Sequence, residues 1–151
     1  MTCVTIRCKD GYAKVCITGH AGYGYANGLP VGHDIVCSAI SMLGQTLVQR
    51  MMEMLECKKI VLNMLKCNSG VISFSAIARN DSVGELETTL RTIGTGFKLL
   101  SIAHSDYVRG GCWIRGKNSG IVYAWNSNDY RERPWKGEAD EKNDQTEPEN
   151  V

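Results

Sequence analysis

The chain has 151 residues, 43% of them hydrophobic, enough for one domain with a buried core. Its 17 Lys+Arg and 16 Asp+Glu leave a formal net charge of +1, which gives no sign of a nucleic-acid binder. The first twenty residues hold no apolar secretory core, and no apolar run reaches the ~18 residues of a membrane span. The seven cysteines are odd in number and scattered, with no C-x-x-C pair. They read as reduced thiols in a cytosol, with no metal site and no cofactor implied.

Thr2 to Lys9 alternates and is rich in β-branched residues, which predicts a strand with Val4 and Ile6 on one face. Asp10-Gly11 is a two-residue hairpin turn. Tyr12 to Thr18 is the partner strand, with Ala13, Val15 and Ile17 on one face. Cys3, Cys8 and Cys16 in these strands read as small buried or half-buried hydrophobes.

Gly19 to Gly32 reads as a loop, with five glycines between Gly22 and Gly32 counted together with Gly19. A loop of that length in a small domain points to binding or covering a ligand. Asp34 to Glu56 is helical by pattern. Ile40, Leu43, Leu47, Met51 and Met54 or Leu55 recur at three and four, with Asp34 as N-cap. Met42, Met51, Met52 and Met54 read as core packing in preference to a pliable partner surface.

Ile60 to Lys66 and Val71 to Ala78 are two further strands joined through Asn68-Ser69-Gly70. A second helix follows, with Ser82 and Glu85 as a capping box and a stripe of Leu86, Leu90, Ile93, Phe97 and Leu100. Gly94 and Gly96 interrupt it and suit a close helix crossing or a partner chain, since each costs ~1 kcal/mol against Ala. Tyr107 to Arg115 is a strand broken by Gly110-Gly111, and Ile121 to Trp125 could add a short one. From about residue 128 the chain is polar and little order is expected. Residues 137–151 hold six acids against one base and read as a solvated tail.

These elements give an α+β domain of two layers in ββαββαβ order, two helices on a mostly antiparallel sheet. Residues 1–116 form the domain and 117–151 a C-terminal extension.

The chemistry concentrates between Gly19 and Ser41. Cys37 falls in the first turn of the first long helix, and His20 ends the preceding strand. A thiol has a pKa near 8.5, and a helix N-terminus and a neighbouring imidazolium both favour its anion. Alone, such a Cys reads as buried and such a His as an exposed loop residue. Paired across a glycine-rich loop, they point to a nucleophile and its base. Backbone N–H groups of Cys37 and Ser38 are candidates to hold an oxyanion. Asp34 would orient the histidine, cap the helix, or do both. His33 is a rival base that needs a tight local turn, and His104 sits near a helix end, where a cation is favourable. A metal site of His20, His33 and Cys37 fits no ligand spacing.

The run T-G-H-A-G-Y followed by D-I-V-C-S-A-I-S resembles the ribosomal-processing cysteine protease (Prp) family. G-F-K-L-L at Gly96 to Leu100 and D-Y-V at Asp106 to Val108 extend the likeness, which covers residues 2–116. The resemblance implies a cytoplasmic endopeptidase, a homodimer, that removes a short N-terminal leader from a large-subunit ribosomal protein after an aromatic residue. Relatives encoded by bacteriophages are thought to trim virion proteins in the same way. Matched by position, Cys37 resembles the nucleophile, His20 the general base and Asp34 the acid before the Cys. The loop with Gly22, Tyr23, Gly24, Tyr25, Gly28 and Gly32 is similar to the segment that closes over the peptide. The 17-residue step from His20 to Cys37 is about five longer than is usual there, with the extra residues within Gly24 to Val31. Residues 117–151 have no counterpart and suggest a bacteriophage-encoded or otherwise specialised member. A non-catalytic peptide-binding module on the same fold is the alternative, motivated by the lengthened loop. No nucleic-acid or membrane partner is implied.

Overall fold

Alternation of apolar and polar residues builds the sheet. The computed structural model describes residues 1–116 and 120–127. Within them β1 (Thr2–Lys9) and β2 (Tyr12–Thr18) form a hairpin, followed by a short α1 (Tyr23–Ala26) and the long α2 (Ile35–Glu56). A second hairpin, β3 (Ile60–Asn68) and β4 (Val71–Ala78), leads through one 3₁₀ turn to α3 (Val83–Ala103). β5 (Val108–Gly116) and β6 (Gly120–Asn126) complete the chain. The six strands make one sheet in the order β3-β4-β2-β1-β5-β6. All neighbours are antiparallel except β1 and β5, because α3 carries the chain across the sheet before β5 enters. Among the described residues no helix is long and apolar enough to cross a membrane.

Both long helices cover one face of the sheet. Val4, Ile6, Ala13, Val15, Ile17, Ile72, Phe74 and Ala76 are buried beneath them. From the helices come Ile40, Leu47, Met51 and Met54, with Leu86, Leu90, Ile93 and Phe97. The ambiguous helical position resolves to Met54, since Leu55 is exposed. Met42 departs from the core reading: it is 70% exposed. The other sheet face is uncovered by any described helix, which corrects the expectation for two cysteines. Cys3 and Cys16 project from that open face and are exposed, whereas Cys8 and Cys112 are buried.

Three local details differ from the sequence pattern or explain it. The glycine-rich segment contains the unexpected turn of α1. Ser82 does not cap α3: its backbone lies at φ −94 ψ 0, outside the extended region a cap needs, and its side chain makes no cap bond. Glu85 instead accepts from Arg50 of α2 and from Lys59 before β3. Gly110 sits at φ 148, and a Cβ there would collide with the Val4 carbonyl, so only glycine can continue β5 there.

The two helical glycines each permit a close approach. A Cβ at Gly96 would stand 2.7 Å from Leu43 Cδ2 of α2, and one at Gly94 2.8 Å from Cys112 Sγ of β5. Gly94→Ala is expected to lower stability by about 1–3 kcal/mol in urea unfolding, because the buried sulfur below cannot retreat.

The remaining expectations, an unordered tail from about residue 128 and its bounds, lie outside the described residues.

Candidate active site

Asp34 builds the site. Its backbone is extended (φ −76, ψ 95), so its carboxylate folds over the start of α2. Oδ1 accepts the Cys37 N–H at 2.8 Å and Oδ2 accepts the Gly24 N–H at 2.9 Å. One carboxylate therefore caps α2 and anchors α1. Partial burial opposes its charge, but the backbone N–H bonds from Cys37 and Gly24, with a contribution from the Cys37 side chain, outweigh that and hold the carboxyl below its ordinary 3.8. Gly24 packs against Asp34, where a Cβ would stand 3.1 Å from the Asp34 Cβ.

Cys37 is half-buried in the first turn of α2. Its Sγ accepts the Ala21 N–H at 3.3 Å. The helix N-terminus and this N–H both turn the positive ends of their dipoles to the sulfur. The other buried thiols stand in contrast. Burial, then the charge of Glu87, pushes Cys8 up to about 12, and burial also pushes Cys112 up. Neither is a nucleophile at neutral pH.

His20 leaves the end of β2 next to Gly19, whose N–H donates to the Gly70 carbonyl at 2.8 Å. Its exposed imidazole lies on the β3–β4 turn: a Cβ at Gly70 would stand 2.8 Å from Nε2. Gly70 itself is at φ 73. Glycine is thus required there twice, by the turn and by the ring above it.

His20 and Cys37 line one cavity of about 340 Å³. Its walls are Ile40, Ser41 and Gln45 of α2 and the turn from Cys67 to Val71. Pattern reading missed Ser41 and Gln45, although their spacing of four and eight from Cys37 places them on its face of the helix. The turn was read only as a turn. Its place beside His20 depends on β2 pairing with β4.

The other expected residues fall elsewhere. Gly22, Tyr23, Gly24, Tyr25, Gly28 and Gly32 do not line the cavity. Tyr23 is held edge-on between His104 and Tyr107, at 5.4 and 5.2 Å between ring centres. Tyr25 is 95% exposed. His33 is exposed, with Nδ1 3.4 Å from the Val31 carbonyl oxygen, and it too lies off the cavity. The expected oxyanion donors are already engaged: the Cys37 N–H by Asp34 Oδ1 and the Ser38 N–H by the Asp34 carbonyl at 3.0 Å. Among the described residues no three His, Cys, Asp or Glu side chains are grouped as metal ligands.

The family profile described as cysteine protease Prp matches residues 1–109. Two crystal structures of an essential ribosomal processing protease Prp from S. aureus share the fold. The one with a covalently linked product peptide has a TM-score of 0.52 and 22% identity over 73% of this chain and 97% of its own. The one with a substrate peptide has a TM-score of 0.50 and 20% identity over the same shares. No curated protein matches the chain.

Two outcomes follow from this geometry. Gly70→Ala should displace the His20 ring, moving its NMR resonances while those of His104 stay in place. Asp34→Ala should cost about 1 kcal/mol of stability at pH 7. The lowered Asp34 pKa contributes stability that is complete above about pH 4 and is lost as pH falls through the lowered value. The difference between the two proteins in urea unfolding should therefore shrink on acidification below that pH.

Proposed function

Because the chain belongs to the cysteine protease Prp family, we propose that it is an endopeptidase removing a short N-terminal leader from a ribosomal or phage structural protein. The cut follows an aromatic residue. The observation that carries this reading is the shared cavity of His20 and Cys37, with an N–H directed at the sulfur. The S. aureus structures, which hold substrate and product peptides, support a peptide as the occupant.

In this mechanism His20 takes the Cys37 proton, and the thiolate attacks the scissile carbonyl carbon. The tetrahedral intermediate collapses, the C–N bond breaks, and His20 returns the proton to the leaving amine. Water, activated by His20, then hydrolyses the thioester. Asp34 acts as the cap that fixes Cys37. The Cys37, Ser38 and Ala21 N–H groups stand beside the sulfur as candidate oxyanion donors, each engaged in the free protein. The protein acts in the cytoplasm, where such substrates are made.

The reading includes a homodimer. Met42 and Leu99 are 70% and 63% exposed in a shallow apolar groove between α2 and α3. An apolar face of this kind suits a second copy. Leu99→Asp should convert a dimer into a monomer in analytical ultracentrifugation.

Cleavage of a leader peptide with an aromatic–Ala junction tests the activity. Cys37→Ala should abolish it, and His20→Ala should lower kcat/KM by roughly 10³-fold. Iodoacetamide should label Cys37 faster than the exposed Cys3, Cys57 or Cys67. Equal labelling with no cleavage would favour the non-catalytic peptide-binding module.

A further inference from the structure

The cavity of His20 and Cys37 continues past its own end. A second cavity of about 560 Å³ lies along α2, with Thr46, Gln49, Arg50 and Glu53 on its wall. Gln45 and Cys67 line both, so the two adjoin there. From Cys37 to Glu53 the helix advances about 24 Å. An extended chain of about seven residues covers that length. The first cavity has no Asp, Glu, Lys or Arg in its lining. Gln45 is exposed, and its side-chain amide is bonded to no described residue.

β3 supplies the other wall. It is the edge strand of the sheet, with no described strand beyond it. Register decides which of its backbone groups face that edge. The Gly70 carbonyl accepts from Gly19, so it turns towards β2. Two residues on, Ile72 turns the same way and pairs with Ile17. Val71 and Ser73 therefore bond to β3, at Asn68 and Lys66. Cys67, opposite Ile72, is left with its N–H and C=O directed outward. The ladder then shifts between Asn63 and Lys66, and Met64 lies at φ 53. A bulge of this kind keeps a whole strand from adding to the edge. What is offered outward is one N–H and one C=O at Cys67, at the same junction as the Gln45 amide.

We propose that this junction is a subsite for the substrate's leader. The leader backbone pairs with Cys67, and the Gln45 amide, itself a donor and an acceptor, holds a neighbouring peptide group. The subsite rests on the peptidase reading and selects substrates for it without touching the reacting atoms. The leader is the occupant because a processing enzyme must release the mature protein, so selective contacts belong on the part removed. Backbone pairing accepts any extended segment, while the uncharged first cavity disfavours Asp, Glu, Lys or Arg next to the cut.

Peptides of the form acetyl-(Ala)n-Phe-Ala-amide, with n from one to five, present only the backbone and an aromatic residue at the cut. With the full chain, kcat/KM should rise about tenfold from the shortest to the longest, through KM. Gln45→Ala should raise KM for the longest peptide about fivefold without lowering kcat, and should keep the parent's thermal melting profile. N-methylation scanned along the alanines should lower kcat/KM about tenfold at one nitrogen, the one facing Cys67. Fluorescence anisotropy of the same peptides, labelled, on Cys37→Ala reads the subsite separately from cleavage. Affinity there should rise with n and fall when Gln45→Ala is added. Cleavage with KM independent of length, or binding that Gln45→Ala leaves unaltered, would overturn the subsite and leave the peptidase reading standing. No binding to Cys37→Ala at millimolar peptide would overturn the subsite too. Length-dependent binding without cleavage by the parent would support the subsite and sink the peptidase reading.

Discussion

The bond pair at Asp34 is the constraint on which the site depends. One carboxylate accepts N–H groups from Cys37 and Gly24, two segments that would otherwise be joined only by a glycine-rich connection. Losing such a cap costs about 1 kcal/mol, and the same carboxylate ties the short loop to the helix start. The position of Sγ follows, because capping sets the first turn and the first turn sets Cys37. The cap also engages the Cys37 N–H, while the Ala21 N–H reaches the sulfur from across the site.

A second constraint comes from the layering. Two helices cover one side of a six-stranded sheet and leave the other uncovered by any described helix. Apolar residues are drawn to the first side, and what alternates with them must suit water. Here that alternate set mixes six bases with Ser, Thr, Cys, two aromatic rings and the apolar Val61, Val71 and Ile77.

Much was legible before any geometry. Periods of two and of 3.6 placed the strands, both long helices, and the core residues of the first hairpin and of the helical stripes, because burial on one side imposes those periods. His20 and Cys37 stood out because each occupies an element end, where local sequence dictates the backbone. Cap geometry was legible at Asp34 but misleading at Ser82, where an unforeseen 3₁₀ turn left the backbone outside the cap conformation. The exposure of Cys3 and Cys16 was misread for a different reason: a strand pattern shows two faces without saying whether both are covered. The lengthened loop drew attention as the peptide-gripping segment. In the fold it is pinned at Tyr23 and Gly24, and the cavity wall comes from the β3–β4 turn.

The sequence by itself determined the elements, the core stripes, the nucleophile and base candidates and the family, since all of these rest on spacing within continuous segments. The tertiary structure decided three things that spacing cannot hold. It brought Gly70 under the His20 ring, through the pairing of β2 with β4. It engaged the Cys37 and Ser38 N–H groups in the cap. It also gathered six bases from four strands onto one face, because register, which depends on partners distant in the chain, sets which side each residue takes.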